Sequence, residues 1–189
     1  MIEFRIKESI EAKQKLLSET KLIEDVQRVI DLIVNTYRNG GKVLFCGNGG
    51  SAADAQHLAA EFSGRFYFDR PPLDAEALHV NTSYLTAVAN DYSFDEVFAR
   101  LVRAKGKKGD VLIAISTSGN SPNILKAIAE ASDIGMITVG FTGETGGKMK
   151  PLCQHLINVP SKDTPRIQEM QMLLGHIICE MVESAIFPK

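Results

Sequence analysis

Apolar residues recur at three- and four-residue steps through the first forty positions, at Ile10, Leu16, Leu17, Leu22, Ile23, Val26, Val29, Ile30, Ile33 and Val34. That period predicts helix with one buried stripe, and Asn39-Gly40-Gly41 supplies a stop and a turn. The pattern then changes. Five short runs, residues 43–46, 77–80, 111–115, 136–139 and 156–159, are almost continuously apolar and bounded by turn residues. Alternation would mark strands with one wet face; continuous runs predict strands covered on both faces. Helical spacing returns over residues 51–63, 83–90, 94–104 and 123–132, and again over a long final segment, 164–187. Strands alternating with helices imply right-handed crossovers. The expected fold is therefore α/β: a five-stranded parallel sheet, doubly wound, in three α/β/α layers. No internal repeat or linker divides the chain, so residues 1–189 are expected to form one domain. Residues 1–40 would be a helical extension packed on that domain or on a neighbouring subunit.

Composition narrows the setting. Of 189 residues, 44% are hydrophobic and 23% charged, ordinary for a globular protein. A net charge of −2 gives no general electrostatic case for nucleic acid. The one basic run, Arg103-Ala104-Lys105-Gly106-Lys107-Lys108, reads best as a solvated helix end and turn. No apolar run approaches the length of a membrane span, and Met1-Ile2-Glu3-Phe4-Arg5 opens no signal-peptide core. Cys46, Cys153 and Cys179 are odd in number and sit in apolar stretches, as reduced buried thiols do. These features predict a cytoplasmic protein with neither nucleic acid nor membrane as partner.

Ligands of doubly wound sheets bind beyond the carboxyl ends of the strands, and the polar motifs of this chain follow its apolar runs. After the third run comes Ser116-Thr117-Ser118-Gly119-Asn120-Ser121-Pro122, then helix. Hydroxyls and free N–H groups at a helix start favour an anion. The loop has no lysine, so it suits a phosphomonoester held as a handle more than nucleotide chemistry; a plain serine-rich capping turn is the competing reading. After the first run, Gly47-Asn48-Gly49-Gly50-Ser51-Ala52 loosely fits a dinucleotide fingerprint. The second run continues into His79-Val80-Asn81-Thr82 without the acid a ribose needs, which argues against that reading. A polyhydroxyl ligand, with Ser51 capping the next helix, fits better.

Two sets of acid–base candidates follow. His57 and Glu61 stand four residues apart on one helix face. They could supply a base, metal ligands or both, or form an exposed intrahelical pair. The final helix carries Gln168, Glu169, Met172 and His176, and a histidine there could equally be a satisfied core residue. Asn90-Asp91 could cap, turn the chain or hold a sugar hydroxyl.

Taken together, these stretches resemble the sugar isomerase (SIS) domain, which is flavodoxin-like, and within it the phosphoheptose isomerases. The resemblance lies in Cys46-Gly47-Asn48-Gly49-Gly50-Ser51, in Asp54 through Gly64-Arg65, in Asn90-Asp91, in Ser116 to Ser121, and in Arg166-Ile167-Gln168-Glu169 followed by His176. It spans nearly the whole chain in one order. What it implies is a homotetramer with inter-subunit active sites and a phosphate held by Ser51, Ser116, Ser118 and Ser121 with Thr117. It further implies that Asn48, Gly49, Gly50, Asn90, Asp91, Glu61 and Gln168 bind the sugar. Glu61 would move the proton between C1 and C2 with His176 as its acid–base partner, and His57, Glu61, Gln168 and His176 would bind zinc. The implied reaction turns sedoheptulose 7-phosphate into D-glycero-D-manno-heptose 7-phosphate for bacterial surface polysaccharide, lipopolysaccharide or capsule. Alternatives are an isomerase for another ketose phosphate, or a non-catalytic SIS module that senses sugar phosphate or regulates by binding protein. Two positions depart from the family's pattern: Pro165 stands where Asp is common, and Gln171 where many members have His.

Overall fold

The computed structural model describes residues 1–188. Five parallel strands, β1 (Val43–Gly47), β2 (Ala75–Ala77), β3 (Val111–Ile115), β4 (Ile137–Thr142) and β5 (His155–Asn158), form one sheet. Their order is β2-β1-β3-β4-β5. β1 and β3 pair in register from Val43↔Val111 to Gly47↔Ile115. Strand period two explains the continuous apolar runs. Val43, Phe45, Val111, Ile113, Ile115, Val139 and Phe141 face one core, and Leu44, Cys46, Leu112 and Ala114 face the other.

Helices fill both cores. The first takes α2 (Thr20–Arg38), α3 (Gly50–Ser63) and α7 (Thr164–Ile186); the second takes α4 (Thr82–Asp91), α5 (Val97–Lys105) and α6 (Pro122–Asp133). Phe45, Phe62, Phe98 and Phe141 are fully buried between these layers, where truncating such a ring to Ala costs about 3–5 kcal/mol. The N-terminal periodic stretch forms two helices, in keeping with the expected helical extension. Glu19 leaves helical geometry at ψ 75° and separates α1 (Ile2–Ser18) from α2. α2 buries the stripe Leu22, Val26, Val29, Ile30 and Ile33. α1 buries only Leu16 and leaves Ile2, Phe4, Ile6, Ile10 and Leu17 exposed.

Beyond shifts of a single residue, the sequence pattern and the structure differ in three places. β2 ends at Ala77, not Val80: Leu78 still donates its N–H to Phe45 O, but Leu78 and His79 turn the chain and Val80 emerges to solvent. As an edge strand, β2 has a ladder only to β1, and the turn releases it early. β4 runs on through Gly140, Phe141 and Thr142, where pairing to β5 sustains it. Residues 94–96 are a 3₁₀ turn ahead of α5. The sheet order reverses between β1 and β3, and at such a switch the diverging loops leave a crevice.

Candidate active site

The loops after β1 and β3 are joined across that crevice. Asn48 Nδ2 donates to Asn123 Oδ1, and Asn123 Nδ2 donates back to Asn48 Oδ1, both at 2.9 Å. Asn123 is buried, and its Oδ1 also accepts from Ile124 N at 2.9 Å. Every polar atom of the Asn123 amide group is thus used to hold Asn48, a proposed sugar ligand. Sequence reasoning missed Asn123; the available signal was an amide side chain in the first turn of an otherwise apolar helix face.

Gly49, at φ +55°, is the N-cap of α3, so Ser51 sits inside the first turn. This corrects the expectation that Ser51 caps the helix; it is a buried residue of the first turn, whose N–H bonds back to Asn48 O. In the serine loop, the Ser116 and Ser121 hydroxyls converge at 3.1 Å. Ser121 is the N-cap of α6 and makes no side-chain cap bond, leaving its hydroxyl to the loop's mouth. Ser118 Oγ accepts from Asn120 N at 3.2 Å, and Thr117 is half-buried beside it. The loop after β4 braces this turn from behind. Gly143 N donates to Thr117 O, Met149 N to Gly119 O, and Lys148 N to Asn120 Oδ1.

The acid–base candidates meet on the α3–α7 seam. Gly175 lies directly against Leu58, so the helices approach closely just where His57 and His176 face each other. Their Nε2 atoms are 2.9 Å apart, with ring centroids at 5.1 Å. His57 Nε2 is 3.3 Å from Glu61 Oε1. The three ligand atoms of His57, Glu61 and His176 all lie within 4.8 Å of one another, a group that could hold a metal ion. The donor set fits a borderline cation. Two imidazole nitrogens and a carboxylate oxygen at about 2.0–2.1 Å from a tetrahedral ion stand roughly 3.3 Å apart, near the 2.9 and 3.3 Å from His57 Nε2 to its two neighbours. One turn before His57, burial pushes the Asp54 carboxyl above its usual range, with the charge of His57 opposing. Burial lowers the pKa of the His79 imidazole after β2.

Other expected site residues lie elsewhere in this chain. Gln168 packs its amide against Gly50, where a Cβ would stand 2.1 Å from Nε2. It is therefore at the start of α3, about 12 Å along α7 from His176. Asn90 Nδ2 donates to Asp91 Oδ1 at 2.9 Å at the exposed end of α4. Glu61 is about 15 Å along α3 from Ser51, so Ser51 and the His–Glu–His group stand at different levels of that helix. Pro165 sits in the first turn of α7 and costs no hydrogen bond there. Gln171 is 1% exposed, and among the described residues neither its Oε1 nor its Nε2 has a partner.

The order of strands and the crevice at their switch define a doubly wound α/β domain, and residues 7–143 match the SIS domain family. A phosphoheptose isomerase of Clostridium acetobutylicum is 53% identical over 186 residues, covering 98% of this chain and 95% of that protein. One from Burkholderia pseudomallei is 56% identical, covering 92% and 88%. The solved phosphoheptose isomerase of Neisseria gonorrhoeae superposes with a TM-score of 0.91 at 45% identity, covering 97% of each chain. The chain belongs to the SIS domain family and, within it, to the phosphoheptose isomerases.

Proposed function

We propose that the protein isomerises sedoheptulose 7-phosphate to D-glycero-D-manno-heptose 7-phosphate through an enediolate. The observation that carries this reading is the meeting of a carboxylate and two imidazoles, from helices far apart in sequence, on the α3–α7 seam. Ketose and aldose differ by one proton on carbon and one on oxygen. Glu61 removes the proton from C1 and returns it to C2; His176 carries the oxygen proton between O2 and O1. Such a positioned transfer is worth about 10²–10⁴-fold in rate. Ser51, Ser116, Ser118 and Ser121, with Thr117, anchor the phosphate by neutral hydrogen bonds, and Asn48, Gly49, Gly50, Asn90, Asp91 and Gln168 bind the sugar hydroxyls.

His57, Glu61 and His176 would hold zinc, which when bound supplies Lewis-acid charge stabilisation to the sugar oxygens. The fourth expected ligand, Gln168, would have to come from a neighbouring copy, given its place beside Gly50. Two features support a homotetramer with sites completed between subunits. Ser51, a proposed phosphate ligand, and the acid–base group stand at different levels along α3. In addition, α1 and α7 leave Phe4, Ile6, Ile10, Leu173, Ile177 and Met181 exposed. Among the described residues no helix is long and apolar enough to cross a membrane. The three cysteines are free, and burial raises the pKa of each thiol, that of Cys153 up to about 12. Both facts support a cytoplasmic setting.

The test is a screen of ketose phosphates of five to seven carbons, with and without chelator. Turnover is expected to peak with sedoheptulose 7-phosphate and to fall when metal is stripped. Preference for a shorter ketose would replace the substrate assignment, and no turnover of any would favour a binding module.

A further inference from the structure

We propose that the buried Arg70–Glu183 ion pair is a positioning device that sets the proposed acid–base groups, Glu61 and His176, against each other. The inference rests on the catalytic reading above, but its geometry is independent of it. Arg70 and Glu183 side chains are 2% and 1% exposed, and Arg70 Nε donates to Glu183 Oε1 at 3.0 Å. The rest of the guanidinium grips the C-terminal end of α3. Nη2 donates to Glu61 O at 2.9 Å, and Nη1 to Phe62 O at 2.7 Å and Gly64 O at 3.1 Å. These belong to the carbonyls a helix end leaves without partners. Arg70 therefore fixes the backbone of the very residue whose carboxylate stands near His57.

Glu183 completes the link from the other helix. It lies seven residues beyond His176 on α7, on the same face. Its two oxygens accept from Phe66 N and Tyr67 N, each at 2.8 Å. That pins residues 66–67 so that the Phe66 ring lies 5.9 Å from the His176 ring, tilted by 42°. One ion pair thus connects the carbonyl of Glu61, the loop over His176 and the helix bearing His176. Stability alone does not account for it, because two buried charges are often no better than an apolar pair of the same volume. What this pair secures is a fixed geometry, and outer partners of this kind typically tune ligand affinity or activity by 10–100-fold.

The test uses the full chain and the substitution Arg70→Lys, which keeps the charge but not the planar fork. The measurements are thermal unfolding, kcat and KM for sedoheptulose 7-phosphate, inhibition by inorganic phosphate, and Co²⁺ affinity from visible absorption. A folded R70K protein is expected to lose about 30-fold in kcat and about tenfold in Co²⁺ affinity. Its phosphate inhibition should stay within about twofold, since the serine loop is not touched. Native kcat and Co²⁺ affinity in a folded variant, with only a lower melting temperature, would reduce the pair to a structural brace and overturn the proposal. Should R70K not fold, Phe66→Leu spares the ion pair; it is expected to lower kcat by at least about threefold, and unchanged kcat overturns the proposal. If the native chain turns over no ketose phosphate, the isomerase reading fails instead, and the Co²⁺ affinities alone decide the positioning role.

Discussion

The Nε2 atoms of His57 and His176 lie 2.9 Å apart although 119 residues separate them in the chain. Without a cation, one ring must donate to the other; with one, both nitrogens turn to it as ligands. Removing either imidazole should therefore strip metal. For His57→Ala, zinc affinity is expected to fall by about 100-fold or more. Metal content after gel filtration checks this: a full equivalent of zinc in the variant would remove His57 from the site.

Asn123 offers a different readout. Asn123→Ala leaves Asn48 without its two reciprocal bonds and leaves a buried helix N–H without Oδ1. A loss of about 1–3 kcal/mol is expected, felt mostly as a raised KM because Asn48 is proposed to hold sugar. Steady-state kinetics should show KM rising several-fold more than kcat falls.

The buried amide of Gln171 has no partner among the described residues. Replacing it with an apolar side chain of similar length relieves that cost, so Gln171→Met is expected to raise stability by about 1–3 kcal/mol. Denaturant unfolding monitored by circular dichroism is the check.

Acid should act through Glu183. Burial alone would raise its carboxyl, but hydrogen bonds from Tyr67 and Phe66 and the Arg70 charge hold it below the usual 4.5. A depressed folded-state pKa means stability that is present above 4.5 and lost as pH falls through the lower folded value. Glu183→Gln should lower stability at neutral pH by about 3–5 kcal/mol. It should also make the acid limb of the melting curve shallower than that of the native chain.

The layers of the fold were legible because both sheet faces are covered, so β1 and β3 read as unbroken apolar runs. β2 was expected to run three residues too far because Leu78 is as buried as a strand residue while it turns the chain. The break at Glu19 was hidden because the same apolar period continues on both sides of it. In the site, His57 and Glu61 were readable from four-residue spacing, but their approach to His176 depends on how α3 packs on α7, which no local pattern encodes. The Asn48–Asn123 exchange and the Arg70–Glu183 pair are likewise long-range, and no short motif announced them. Gln168 shows the converse: a motif residue whose amide the packing sends to Gly50.

The central claim is that the Glu61 carboxylate moves the carbon-bound proton. Glu61→Gln keeps size and burial while removing the base. Run in D₂O with sedoheptulose 7-phosphate, the native chain should exchange deuterium into the sugar and form aldose. The variant should lose both by at least about 10²-fold, with phosphate inhibition unchanged. Native-like exchange in the variant would contradict the account.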